Sequence, residues 1–275
     1  LSGTPLIESA SKAYPQFNVS RYSPFNMFKN FYDWHRKFIP KQVRTSYGFA
    51  NDYSEVKYNQ VIDKIKHLML TQTQEDSGFE SEITEHILKV KMKPQTYSLI
   101  KRLIKDRVIE GEKETILADT VRLQLTLHQL FSSVKMESKA MTLDDSKAQY
   151  LKKYFKKKIA ILTCYIQEIP LLKEVFGDIL TDDLEEFKTT DKSYVGNIVS
   201  NREISLKEAD VLIFYNIPFS TSYVQRERLN YRRKENNVYF ICAEDGIELK
   251  ILKIVRKKQS FSKKIFEKEL KDFNF

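Results

Sequence analysis

The 275-residue chain contains only two cysteines, Cys164 and Cys242, and four histidines. Both cysteines fall in apolar, strand-like runs outside any ligand-spaced motif, so they read as reduced, buried thiols rather than a disulfide or a metal pair. The histidines (His35, His67, His86, His128) show no i, i+4 pairing and no accompanying cysteine, which leaves no zinc motif. No apolar run reaches the roughly 18 to 20 residues that span a bilayer, and no charged-then-apolar leader opens the sequence. Both absences argue against a membrane protein. There is no Gly-x-x-x-x-Gly-Lys-Ser/Thr and no Asp-Glu pair followed by Ala/Cys-His, so this chain alone cannot cradle nucleotide phosphates and Mg²⁺ in the P-loop manner. No Gly-x-Gly-x-x-Gly follows a strand, which disfavours a dinucleotide enzyme, and no solenoid repeat is visible.

What is present is apolar content of 41%, enough to bury one full domain and part of another. Lysine plus arginine is 46 against 37 acidic residues, a net charge of +9, with a pI near 9.2. This balance favours a polyanionic partner, nucleic acid first.

Along the chain, Pro24 to Phe38 is predicted as an aromatic-rich helix, since Pro24 suits a first turn. Phe28, Phe31, Tyr32, Trp34 and Phe38 are dense enough to pack as a core, with base stacking as the alternative. A helix is expected over 54–66, and residues 71–78 read as a polar loop. Ile83 to Met92 alternates as a strand, Pro94 opens a helix to about Val108 that Gly111 breaks, and Ile116 to Phe131 is a second amphipathic helix. A polar connector covers 132–143.

From Asp144 the pattern becomes βαβ-like. A helix over 144–157 ends in Lys152, Lys153, Lys156, Lys157 and Lys158, cations that suit a helix C-terminus. Ile159 to Tyr165 is a continuous apolar run, as in a parallel sheet covered on both faces. Further elements are expected as helix 167–176, strands near 195–199 and 209–215, helix 220–230, strand 237–242, and helices 246–257 and 262–272. The fold class is therefore α/β, a parallel sheet flanked by helices.

Two segments carry the chemistry. Asn197-Ile198-Val199-Ser200-Asn201-Arg202-Glu203-Ile204-Ser205 leads into the apolar strand Ala209 to Tyr215, and Tyr223-Val224-Gln225-Arg226-Glu227-Arg228 follows it. Strands that deliver polar loops to one sheet edge build ligand sites in α/β domains. A guanidinium is a permanently charged donor fork suited to phosphoryl oxygens. As a solvated charge run, Arg226, Arg228, Arg232, Arg233 and Lys234 would need no ligand.

These segments resemble motifs V and VI of superfamily 2 helicases, particularly the phage-type and Swi/Snf-like branch. Leu1-Ser2-Gly3-Thr4-Pro5 resembles motif III, Lys157 to Tyr165 resembles a strand of the second motor domain, and Leu127-His128-Gln129 matches the family's connecting helix. The resemblance implies the end of a first RecA-like lobe with its exit helix in 1–50, a mostly helical connecting region in 51–143, and a second RecA-like lobe in 144–275. It implies the C-terminal motor lobe of an ATP-dependent DNA helicase or translocase, half of an ATP hydrolase that does not hydrolyse ATP alone. Arg228, Arg232 and Arg226 become the arginine-finger candidates, a role worth about 10³ to 10⁵ in rate. The glutamine spacing favours Arg232 and the Arg-Glu-Arg string favours Arg228.

Gln225, Ser205, Gly3 and Thr4 would contact nucleotide, and Thr163, Ser200 and Asn201 nucleic acid. Thr163 reads equally as a strand-end threonine with no ligand, and Asp210 either orders the motif V loop or caps its strand. ATP and Mg²⁺ are the implied cofactors, held mainly by an N-terminal RecA-like lobe in the same parent chain or a separate one. The implied partner is DNA, with RNA as a variant, and the implied location is intracellular, in a bacterial host if the origin is phage. The chain departs from the family pattern at Glu203-Ile204, where a glycine is usual, and in its compressed motif VI. Both departures favour the rival reading, a non-catalytic nucleic-acid-binding or structural protein on a degenerate lobe.

Overall fold

The computed structural model describes residues 10–38, 42–45, 48–51, 58–69, 82–110, 115–135, 141–142, 144–199, 204–220, 223–224, 231 and 235–256. The chain divides into two compact units, Leu1–Glu80 and Ser81–Phe275.

The first unit contains helices α1 (Ala13–Phe17), α2 (Phe31–Phe38) and α3 (Tyr58–Ile65), and an antiparallel pair β1 (Gln42–Thr45) and β2 (Gly48–Asn51). Its core is aromatic: Tyr14, Phe25, Trp34 and Phe38 are buried with Val61 and Ile65, and the Trp34 and Phe38 rings lie 5.2 Å apart. The helix predicted from Pro24 forms only in its second half. Residues 24–30 are turns, because the Ser23 hydroxyl accepts the Phe25 N–H (3.0 Å) and Asn30 Oδ1 accepts the Asp33 N–H (3.0 Å). Asn30 thereby acts as the N-cap that starts α2.

The second unit is built on six parallel strands in the order β3-β12-β11-β8-β10-β9. Their ranges are β3 (Glu82–Val90), β8 (Ile159–Thr163), β9 (Leu180–Thr181), β10 (Ser193–Asn197), β11 (Val211–Phe214) and β12 (Glu235–Ala243). Two short hairpins, β4 (Val108–Glu110) with β5 (Thr115–Leu117) and β6 (Val134–Lys135) with β7 (Met141–Thr142), lie outside the sheet. The apolar runs give strands buried on both faces: Ala160 and Leu162 of β8 point into one core, Ile159 and Ile161 into the other.

Helices α4 (Pro94–Asp106), α5 (Thr120–Phe131), α8 (Leu184–Thr189) and α9 (Ile247–Arg256) cover the first face, and α6 (Ser146–Tyr154) and α7 (Glu168–Phe176) the second. The helix expected from Ile116 starts later. Residues 115–117 pair as β5, and Asp119 caps α5 by accepting the Arg122 N–H at 2.8 Å. The predicted strand at 83–92 forms as β3 and pairs along its whole length with β12, which makes it a strand of the main sheet. The helix expected at 262–272 lies outside the described residues.

Candidate functional site

The routes of the crossovers locate the site. The chain leaves β8 for the second face, where Leu171 and Leu172 of α7 pack. Its neighbours β10 and β11 both lead to the first face, where Ile198, Leu206 and Ala209 pack after β10, and Val224 and Tyr231 after β11. Connections that part to opposite faces open a crevice beyond the strand ends, the switch point where ligands of open α/β sheets bind.

At this end of the sheet buried polar groups form a hydrogen-bonded network. His128, near the end of α5, is held between the Tyr165 hydroxyl (2.7 Å from Nδ1) and the Ile217 carbonyl (2.9 Å from Nε2). A carbonyl only accepts, so Nε2 carries the proton and Nδ1 accepts from Tyr165. Burial pushes the imidazole down to about 3, against the opposing pull of the Ile217 hydrogen bond, and it is neutral at physiological pH. Glu168, fully buried at the start of α7, accepts the Tyr165 N–H at 3.0 Å and the Asn216 side-chain amide at 3.3 Å. Burial raises its carboxyl to about 7, with the hydrogen bonds from Tyr165, Ser132 and Asn216 and the charge of Lys147 acting in the opposite sense. Asn216 closes the network by donating to the His128 carbonyl (3.4 Å) and accepting the Ile217 N–H (2.8 Å).

Beside this network Lys147 of α6 and Glu248 of α9 form an ion pair in which both side chains are wholly buried. The pair joins helices from the two opposite layers, and the Lys147 ammonium lies 5.8 Å from the Tyr215 ring centre. Gly246 is required beside it, because a Cβ there would overlap Glu248 Oε2 and approach the Ala243 carbonyl to 3.0 Å. Both charges of the pair are removed from water. The arrangement fixes three loops relative to one another: the turn after β8, the loop after β11, and the start of α9.

Among the sequence-predicted site residues, Gly3, Thr4, Ser200, Asn201, Gln225, Arg226, Arg228 and Arg232 lie outside the described residues. Ser205 is half-buried in the connection between β10 and β11. Thr163 is wholly buried, and its hydroxyl donates to the Gly196 carbonyl at 3.4 Å. In this arrangement the hydroxyl bonds within the sheet, as a strand-end threonine with no ligand would.

Asp210 sits at the amino edge, where its N–H donates to the Lys158 carbonyl (2.8 Å) and its carboxylate accepts the Lys158 N–H (3.3 Å). Its carbonyl accepts the Tyr231 hydroxyl at 2.7 Å. Val224 and Tyr231, which flank the arginine segment, are therefore anchored in the first-face core. Sequence reasoning missed Glu168, Asn216 and the Lys147–Glu248 pair. Their partners lie 48 to 101 residues away, and no local spacing encodes them.

Six parallel strands between two helical layers and a switch point at β8 define the lobe. The fold is RecA-like. The crystal structure of the C-terminal part of the Fun30 ATPase domain is similar, with TM-score 0.51 and 14% identity over 68% of this chain and 95% of that one. Two further similar structures are the Sulfolobus solfataricus SWI2/SNF2 ATPase core domain (TM-score 0.48, 13% identity, 93% of this chain and 58% of that one) and the same core in complex with dsDNA (TM-score 0.44, 12% identity, 88% and 56%). No protein-family model matches the sequence, nor does any curated protein. The RecA-like lobe has no described helix long and apolar enough to cross a membrane.

Proposed function

We propose that this chain is the C-terminal motor lobe of an ATP-dependent, Swi/Snf-like translocase or helicase that acts on DNA. The observation that carries this reading is the parallel sheet, whose strands β8, β10 and β11 follow one another in the chain order of the motifs. The motif V-like segment joins β10 to β11, and the motif VI-like arginines follow β11, Arg226 and Arg228 between the buried anchors Val224 and Tyr231 in the chain and Arg232 directly after Tyr231. The shared fold with the C-terminal part of the Fun30 ATPase domain supports it.

The donor set fits one wall of a nucleotide cleft and not the whole. No three His, Cys, Asp or Glu side chains among the described residues come together to hold a metal, and the sequence carries no P-loop. In this proposal a second RecA-like lobe supplies the phosphate and Mg²⁺ site, ATP brings the bond to be hydrolysed, and this lobe contributes cationic and polar contacts. Arg228 or Arg232, with Arg226 as the third candidate, stabilises charge on the transferred phosphoryl group. Gln225 and Ser205 contact nucleotide, as do Gly3 and Thr4, while Ser200 and Asn201 contact nucleic acid.

DNA-stimulated ATP hydrolysis by this lobe joined to a P-loop-bearing partner lobe tests the proposal. Turnover that requires both lobes and rises with DNA supports it. The absence of the family glycine at Glu203-Ile204 favours the alternative, a nucleic-acid-binding lobe without turnover, and DNA binding with no hydrolysis is the result that would establish that alternative.

A further inference from the structure

The end of α6 and the turn that leads into β8 concentrate positive charge along the chain. From Ser146 to Gln167 the sequence has six lysines and no acidic residue. Lys147 is neutralised by Glu248. Lys152 donates to the Val175 carbonyl (2.6 Å), Lys156 to the Lys152 carbonyl (3.3 Å), and Lys158 to the Phe187 and Thr190 carbonyls (2.5 Å each). Carbonyls are neutral acceptors, so these three keep their full charge. Lys153 and Lys157 are exposed and have no partner among the described residues. Asp145 and Glu174 line a cavity with Lys152, and the helix C-terminus adds about half a negative charge, which leaves Lys153 and Lys157 as the outward cations.

Aromatic rings interleave with these lysines. Tyr150 and Tyr154, one helical turn apart, stack at 5.6 Å with an interplanar angle of 18°. The series continues through Phe155 (4.8 Å from Tyr154), Tyr239 of β12 (4.9 Å from Phe155) and His86 of β3, stacked on Tyr239 at 4.3 Å. Tyr154 is 49% exposed although it is large and apolar over most of its surface. Glu85, the residue before His86 on β3, points to the opposite face of the strand and is paired with Arg256 at 2.7 Å.

We infer that the Tyr150–Tyr154 stack with Lys153 and Lys157 is a binding surface for single-stranded nucleic acid, separate from the switch point and placed where α6 enters the amino end of β8. An exposed ring gives an unpaired base a stacking face, and the flanking ammonium groups meet the backbone phosphates. A duplex keeps its bases stacked internally and offers this surface phosphates alone. The surface needs neither nucleotide nor turnover, so its test is independent of the motor reading.

The test is fluorescence anisotropy of a labelled oligothymidylate with the full chain, without nucleotide, over a range of salt. Tyr154→Leu is expected to weaken binding about 5- to 150-fold, the stacking of one base, while Tyr154→Phe binds like wild type. The pair Lys153→Gln with Lys157→Gln is expected to lower the slope of log K against log salt by about 1.4. Wild-type binding by Tyr154→Leu, or an unchanged slope in the lysine pair, overturns the inference. Equal weakening by Tyr154→Leu and Tyr154→Phe would also overturn it, because the ring would then not be what the base meets.

Discussion

The ring of His128 and the carbonyl of Ile217, 89 residues apart in the chain, meet in a buried 2.9 Å hydrogen bond at the mouth of the sheet. Through it α5 grips the loop that leaves β11 and leads toward the arginine segment. His128→Leu keeps the apolar bulk but strands both the Ile217 carbonyl and the Tyr165 hydroxyl. The expected loss is about 1–3 kcal/mol, read from urea denaturation midpoints.

Lys147 and Glu248 bridge opposite layers with no exposure to water. Removing one partner leaves a buried charge uncompensated, so Lys147→Met is expected to cost about 3–5 kcal/mol. Adding Glu248→Leu to that variant removes the stranded charge and is expected to recover most of the loss. A double-mutant cycle by thermal denaturation measures both steps, and additive losses would contradict the buried pairing.

Glu168 gives the lobe an inverted pH dependence. Its carboxyl titrates at about 7 in the folded lobe and at the ordinary 4.5 when unfolded. Between those values the folded state holds a proton that the unfolded state has released. Its contribution to stability is therefore complete below about pH 4.5 and declines as pH rises to about 7, by up to about 3 kcal/mol. Glu168→Gln, which is neutral throughout, is expected to flatten the wild-type stability profile across that window in parallel urea titrations at graded pH.

Much of this architecture is legible in the sequence, for physical reasons that also mark the limit. The continuous apolar run at Ile159, the strand before Tyr215 and the strand ending at Ala243 stand out because parallel strands buried on both faces need unbroken apolar stretches. Pro94 marks the start of α4 because proline suits a first turn. By contrast, the strand at Glu82–Val90 is readable as a strand but not as the neighbour of β12, because pairing across 150 residues leaves no local trace. Strand β5 of the β4–β5 hairpin falls within the helical pattern predicted from Ile116, because Ile116 and Leu117 satisfy either period until Asp119 caps α5.

The site shows the same division. His128 is visible as a residue of a helical run, but its bonds to Tyr165 and Ile217 depend on the crossover routes. Thr163 is legible as a strand-end threonine, but its hydrogen bond to the Gly196 carbonyl depends on the pairing of β8 with β10.

The most direct measurement of the central claim is single-turnover and steady-state ATP hydrolysis, with DNA, by this lobe joined to a P-loop-bearing lobe, comparing wild type with Arg228→Ala and Arg232→Ala. The account expects one variant to lose about 10³- to 10⁵-fold in turnover with nucleotide affinity little changed. Wild-type turnover in both variants would contradict it.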